Sequence, residues 1–158
     1  KYFIPKERLY YTDPAVIKSD ETEGKLPLED RKTWQYIKGG KKLPRTSANG
    51  HKYIFSEGPI EMLDNYDKPA RTMLTSEGSF SRSTHIVKDK KTGRIRLLTA
   101  GETERIQGFP TDHTKYCLMN GKVVEMPVHK RRFMMGNALV VNLIEDMEKT
   151  LSQIFDEE

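Results

Sequence analysis

This chain of 158 residues is poor in apolar residues and in cysteine, and each shortage excludes something. Hydrophobic residues make up 35% and mean hydropathy is −0.72, so any core is modest. No apolar run approaches the ~20 residues that a membrane span requires. The opening KYFIPKERLY holds no continuous apolar stretch of the kind a signal peptide carries. A single cysteine, Cys117, excludes an internal disulfide and fits a reducing compartment. Neither CxxC pairs nor HExxH occurs, so two common metal frameworks are missing and no metal site is expected. Internal repeats and low-complexity tracts are absent too. The chain opens on Lys rather than Met, as a fragment or processed product would.

What the chain does have is charge, unevenly spread. Its formal net charge is +4, yet residues 1–136 hold 26 Lys and Arg against 17 Asp and Glu, and residues 137–158 hold one Lys against six acids. A basic body with an acidic tail suits an anionic partner for the body and a different task for the tail. An ordinary solvated surface reads the same way on charge alone.

Local patterns predict short elements joined by loops. Tyr2–Ile4 and Leu9–Tyr11 are expected as short strands about the turn Pro5–Arg8. Between Thr12 and Arg31 lies a polar stretch without periodicity, then a short helix over Arg31–Lys38 ended by Gly39 and Gly40. The run GGKKLPRTSANGHK reads as a long basic loop rich in turn formers. Strands are expected at His51–Phe55 and Arg71–Leu74, the second followed by the small polar run Thr75–Ser79. Thr84–Val87 and Arg94–Leu98 flank the polar turn KDKKTG, a hairpin pattern. Thr99 sits three residues before Glu102, a capping box for a helix over Ala100–Gln107; Gly108 suits the left-handed position after it and Pro110 blocks continuation. A last helix is expected from Gly136-Asn137 to Phe155. Its residues Val140, Leu143, Ile144, Met147, Leu151 and Ile154 form one apolar stripe that must lie against something.

Two segments resemble the DNA cytosine-5 methyltransferase family. RLLTAGETERIQGFP, Arg96 to Pro110, is similar to its ninth motif, and FMMGNALVVNLIEDM, Phe133 to Met147, to its tenth. In the latter, Gly136, Asn137, Ala138, Leu139, Leu143 and Met147 fill the expected places. A third segment, KPARTMLTSEGSFSRSTHIV, resembles the end of the recognition domain of bacterial members. Residues 1–67 match nothing comparable. The resemblance implies an α+β chain: a small β-rich target recognition domain with irregular loops over residues 1–95, then residues 96–158 as the ninth-motif helix-turn and a C-terminal helix belonging to the α/β catalytic domain.

Parts of that family are missing from the sequence. No F-x-G-x-G donor loop occurs, and Cys117 lies in Tyr-Cys-Leu rather than in the Pro-Cys-Gln of the family's nucleophile. The Glu-Asn-Val and Gln-x-Arg-x-Arg segments are absent as well. No catalytic residue is therefore expected in this chain, which alone should be inactive. Cys117 reads as a small core residue.

By resemblance, the DNA-binding candidates are Arg71, Thr72, Thr75, Ser76, Ser81, Arg82, Ser83 and His85. Arg suits this work because its planar fork bonds guanine O6 and N7 together, or grips a phosphate. Lys41, Lys42 and Arg45 of the basic loop either neutralise phosphates or simply mark a solvated loop tip. The run Lys130–Arg132 either touches phosphate or bridges to the catalytic half. Asn137 and Ala138 match the positions that line the S-adenosylmethionine pocket in the family, and Asn137 also suits a helix N-cap. Thr99, Glu102, Arg105, Gln107, Gly108, Pro110 and Gly136 read as architecture, with Arg105 and Gln107 bonding backbone carbonyls and Ile106 and Phe109 as core.

The expectation is a C-terminal fragment or subunit of a bacterial or phage DNA cytosine-5 methyltransferase, cytoplasmic and nucleoid-associated. Its partners are double-stranded DNA and a missing N-terminal catalytic domain or subunit, with self-association through the last helix and no membrane. S-adenosylmethionine belongs to the full enzyme, and none is expected on this chain alone. The alternatives are an inactive stand-alone DNA- or partner-binding module and the recognition subunit of a naturally split enzyme.

Overall fold

The computed structural model describes residues 2–12 and 26–156. Most of the polar stretch between Thr12 and Arg31 therefore lies outside the described residues. Short helices and three two-stranded antiparallel sheets make up the rest, an α+β composition. No helix among the described residues is long and apolar enough to cross a membrane. The chain divides into two compact units. The first comprises Lys1–Tyr66, Phe80–Arg82 and Ile86–Leu97; the second comprises Asp67–Ser79, Ser83–His85 and Leu98–Glu158.

In the first unit a small core gathers around Ile4, Leu9, Trp34 and Ile86, with Ile37, Met62, Leu63, Ile95 and Leu97 packed against it. Helix α1, Trp34–Lys38, starts where the Thr33 side chain accepts the Tyr36 N–H, and it carries Trp34 into that core. The Trp34 ring meets Phe80 edge-on at 4.9 Å. Strands β1, Lys41–Thr46, and β2, Lys52–Glu57, pair antiparallel in a six-residue ladder. This corrects the long loop expected over residues 39–52. The β-forming run Tyr53-Ile54-Phe55 recruits KKLPRT as its partner, and Gly50 closes the turn at φ +82. Pro44 is tolerated because a two-stranded ribbon leaves one edge of each strand unpaired.

Strands β3, Ile86–Lys88, and β4, Ile95–Leu97, form the hairpin that KDKKTG predicts. Asp89 organises its turn. Its carboxylate accepts from the Thr92 hydroxyl at 2.8 Å, the Thr92 N–H at 2.9 Å and Arg96 at 3.1 Å, and these hold its pKa down at about 2. The first residues run alongside β4 through a single bridge, Phe3 to Arg96, instead of a full strand. Nor is Leu9–Tyr11 a strand. The Leu9 carbonyl and Tyr11 N–H bond to Gln35 at 2.9 Å each, so the start of α1 takes the place of a β partner.

The second unit is built on helix α2, Ala100–Ile106, whose Thr99–Glu102 capping box is present in full. Gly108 takes φ +83 just past its end. Strands β5, Tyr116–Met119, and β6, Lys122–Glu125, form a hairpin turned by Asn120 and Gly121, both with positive φ. Helix α3 spans Val128–Asn137 and helix α4 spans Val141–Asp156.

The single last helix expected from Gly136 is thus two helices, and Asn137 ends one of them instead of capping the other. Gln107 explains the break. Its side-chain N–H groups donate to Met135 O at 2.6 Å and Ala138 O at 3.4 Å, and its backbone carbonyl accepts the Val141 N–H at 3.0 Å. The bonds that would continue α3 are taken by the residue that caps α2. Arg71–Leu74, expected as a strand, pairs with no neighbour in a ladder. Ile106 and Phe109, expected as core, are only half-buried, as is Cys117. The apolar stripe of α4 is exposed: Leu143 is 56% accessible and Met147 52%, and Leu151 and Ile154 likewise face outward.

Candidate nucleic-acid interface

The backbone at Leu74 and Thr75 approaches that of α3 more closely than any side chain allows. A Cβ on Gly136 would overlap the carbonyl of Leu74 and the nitrogen of Thr75, so the glycine at this position lets two backbones touch. Gly78, at φ +81, does the same for a side chain: a Cβ there would strike the guanidinium of Arg132, which lies across the turn and donates to Leu98 O. Between this turn and α3 opens a cleft of about 260 Å³ lined by Thr75–Ser79, His129, Lys130, Arg132 and Phe133. The sequence pattern points to the turn but not to Arg132 as its support.

Many of the expected donors in this segment face inward. Arg71 donates to Ser83 O at 3.2 Å and to Thr84 O at 3.4 Å. Ser76 and Ser83 share a hydroxyl bond of 3.1 Å, and buried Thr84 donates to Ser79 O at 2.9 Å and Ser76 O at 3.2 Å. His85 is 1% accessible, with Nδ1 2.9 Å from Glu77 Oε2 and its backbone N–H bonded to the same carboxylate. A carboxylate only accepts, so Nδ1 carries the proton in that pair. Thr72 and Thr75 stay exposed. Ser81 and Arg82 fall in the first unit, where Arg82 bonds Gly58 O at 2.5 Å and pairs with Glu57.

The Lys130–Arg132 run splits by helical position. Lys130 is exposed, and Arg131 is drawn into a buried cluster. Arg131 forks onto Glu104 at 2.9 and 3.0 Å and reaches Asp112 at 2.8 Å. Glu104 also accepts the Asp112 N–H at 2.7 Å, the Thr114 N–H at 3.1 Å and the Thr114 hydroxyl. Burial alone would raise the Glu104 carboxyl, but the bonds from Thr114, Arg131 and the Asp112 backbone outweigh it and hold the group below its ordinary 4.5. Sequence reasoning singles out Glu102 and Arg105 and misses this clamp between α2 and α3. Glu104 looks like one more surface acid, since nothing local marks a carboxylate whose partner lies 27 residues away. Arg105 bonds the Thr111 hydroxyl at 2.9 Å instead of a carbonyl, whereas Gln107 does bond carbonyls.

Asn137 is exposed at the end of α3, and its amide donates to Phe133 O at 3.3 Å. Ala138, half-buried, offers its carbonyl to Gln107. Among the described residues no group of three or more His, Cys, Asp or Glu could hold a metal ion.

In the first unit, Lys41 is buried at the root of β1, bonding Glu57 at 2.8 Å and the carbonyls of Ile37 and Gly39. Burial raises the Glu57 carboxyl, but its bonds with Lys41 and Arg82 bring it below the ordinary range. Arg45 lies over the Phe55 ring at 3.8 Å, and Lys42 and Lys52 are exposed. The basic segment is therefore a strand pair with cations along it.

The family model for C-5 cytosine-specific DNA methylase matches residues 4–153. Over 152 residues the chain is 40% identical to the type II methyltransferase M.Sau3AI of Staphylococcus aureus, an alignment covering 96% of this chain and 34% of that protein. The chain thus spans about a third of the length of the curated relative it matches. No solved structure matches it.

Proposed function

We propose, for a chain that belongs to the C-5 cytosine-specific DNA methylase family, that it supplies target recognition to an enzyme methylating C5 of cytosine in double-stranded DNA. The target base leaves the stack for this chemistry, because C5 cannot be reached inside the duplex. Residues 1–95 act as the recognition domain and residues 96–158 return the chain to the catalytic domain. The observation that carries this reading is the interlock of the two motifs. Gln107 of the ninth bonds Met135 O and Ala138 O of the tenth, and Gly136 of the tenth admits the Leu74–Thr75 backbone of the recognition segment.

The methyl group comes from S-adenosylmethionine. Asn137 and Ala138 are the residues that border it, and its remaining contacts lie outside this chain. With neither F-x-G-x-G nor Pro-Cys-Gln in the sequence, the chain alone transfers no methyl group. The exposed stripe of α4 is the surface for the catalytic part, in the bacterial cytoplasm, and it makes the chain by itself prone to self-association. Light scattering across concentration tests that last point; a monomer throughout would count against it.

The main test mixes the chain with a polypeptide carrying the family's donor loop and Pro-Cys-Gln and follows labelled methyl transfer to duplex DNA. The mixture is expected to methylate and the chain alone to bind duplex without methylating it. Methylation by the chain alone, or failure to bind any duplex, would sink the proposal.

A further inference from the structure

From Arg31 to Ser56 the sequence contains no Asp or Glu across 26 residues, in a chain that has 23 acids. The β1–β2 ribbon lies in this stretch. Only its root is covered: Lys41 is buried, Leu43, Phe55 and Glu57 are half-buried, and nearly everything beyond is exposed. The pairing register sorts its side chains into two faces. One carries Leu43, Phe55 and Arg45, stiffened by the Arg45 guanidinium on the Phe55 ring at 3.8 Å. The other carries Lys42, Ser56, Pro44, Ile54, Thr46 and Lys52, and all six stand in solvent. Ile54 is 64% accessible, a large apolar side chain left in water on a strand that a one-residue register shift would have turned over.

Composition and size together name the occupant. An acid-free face with a cation at either end is complementary to a polyanion. Six residues of strand span about 20 Å, and two strands lie about 4.8 Å apart. The DNA major groove, about 12 Å wide, admits a two-stranded ribbon, and the minor groove, about 6 Å wide, does not. We propose that the β1–β2 ribbon lies in the major groove and sets sequence preference. Ile54, Pro44 and Thr46 meet base edges, and Lys42 and Lys52 hold phosphates at the groove rims. Ile54 and Pro44 suit the thymine methyl group, and the Thr46 hydroxyl both gives and accepts a hydrogen bond. This rests on the reading of the chain as a DNA-recognition part and adds which element does the reading.

The test selects preferred duplexes from a randomised pool with the chain itself, then repeats the selection with Ile54→Thr and Thr46→Val. Both changes preserve β-branching on an exposed strand. Each is expected to alter the preferred base at one or two positions and to lower the ratio of preferred to random binding about tenfold. Lys42→Gln and Lys52→Gln are expected to weaken all duplexes alike. A further variant replaces residues 43–55 by a short Asn-Gly hairpin, with emission from buried Trp34 reporting the core. It should lose preference and, with Arg45 and Lys52 gone, bind all duplexes more weakly and alike. Unchanged preference in Ile54→Thr, Thr46→Val and the shortened hairpin would overturn the ribbon as reader while leaving DNA recognition standing. A wild-type chain that enriches no duplex would overturn both.

Discussion

Two polar, basic segments of this chain look alike on paper and behave oppositely in the fold. KPARTMLTSEGSFSRSTHIV turns its groups on itself: Arg71 bonds two carbonyls, Thr84 is buried against Ser76 and Ser79, and His85 is sealed against Glu77. KKLPRTSANGHKYIFS, whose first part reads as a loop, is a ribbon with Lys42, Thr46, Lys52 and Ile54 at its surface. The first segment has the family's pattern and serves largely to hold its own shape. The second shows no motif legible in the sequence, although the family match spans it, and much of it stands at the surface. Polar composition therefore does not separate a reader from a scaffold; what separates them is how many of the donors the fold has already used.

The largest effect tests how firmly the scaffold is locked. Glu104→Ala leaves Arg131 charged and buried, and about 3–5 kcal/mol of stability should go. Urea unfolding checks this, and a loss below about 1 kcal/mol would mean the clamp behaves as a surface pair. Acid probes the same bond. The folded Glu104 titrates below its ordinary 4.5, so its contribution is whole above that pH and drains as pH falls through the lowered value. Amide spectra recorded as pH falls below about 5 should change at α2 and α3 and, through Glu57, at the ribbon root, whereas residues 42–56 have no acid to protonate. Changes confined to the ribbon would break the contrast.

Gly136→Ala comes next. A Cβ in the space held by the Leu74–Thr75 backbone forces one chain segment off the other, at about 1–3 kcal/mol. Gly50→Ala in the ribbon turn meets no atom within 4 Å, although its φ of +82 still strains it. Comparing the two by thermal unfolding separates a packing requirement from a conformational one.

How much of the fold is legible in the sequence follows the range of each interaction. The Thr99–Glu102 box, the Gly108 stop and the KDKKTG hairpin are set by residues within a few positions of each other, and the pattern alone places them. The β1–β2 ribbon escapes such a reading because turn formers fill its middle and charge masks its alternation; only the pairing with Tyr53-Ile54-Phe55 makes KKLPRT a strand. The break between α3 and α4 is not legible either. The apolar stripe begins only at Val140 and marks no stop before it, and the residue responsible, Gln107, sits about thirty positions earlier. Gly136 and Asn137 stand out through the family pattern, but their roles come from the fold: a close backbone approach and a helix end.

Smaller effects bear on the contrast most directly, and they come as a pair. Arg71→Ala strips two carbonyls of their partner and should lower stability by about 1–2 kcal/mol. Its effect on DNA affinity should follow the folded fraction, with the slope of affinity against salt unchanged. Lys52→Ala removes an exposed cation and should leave stability within about 0.5 kcal/mol. Its mark is electrostatic: one fewer phosphate neutralised lowers the slope of log K against log salt by about 0.9. Measuring binding across a series of salt concentrations, with unfolding curves alongside, reads both quantities for both variants. If Arg71→Ala changes the salt slope and Lys52→Ala does not, the roles are reversed: the knitted segment faces the phosphates and the ribbon serves another partner.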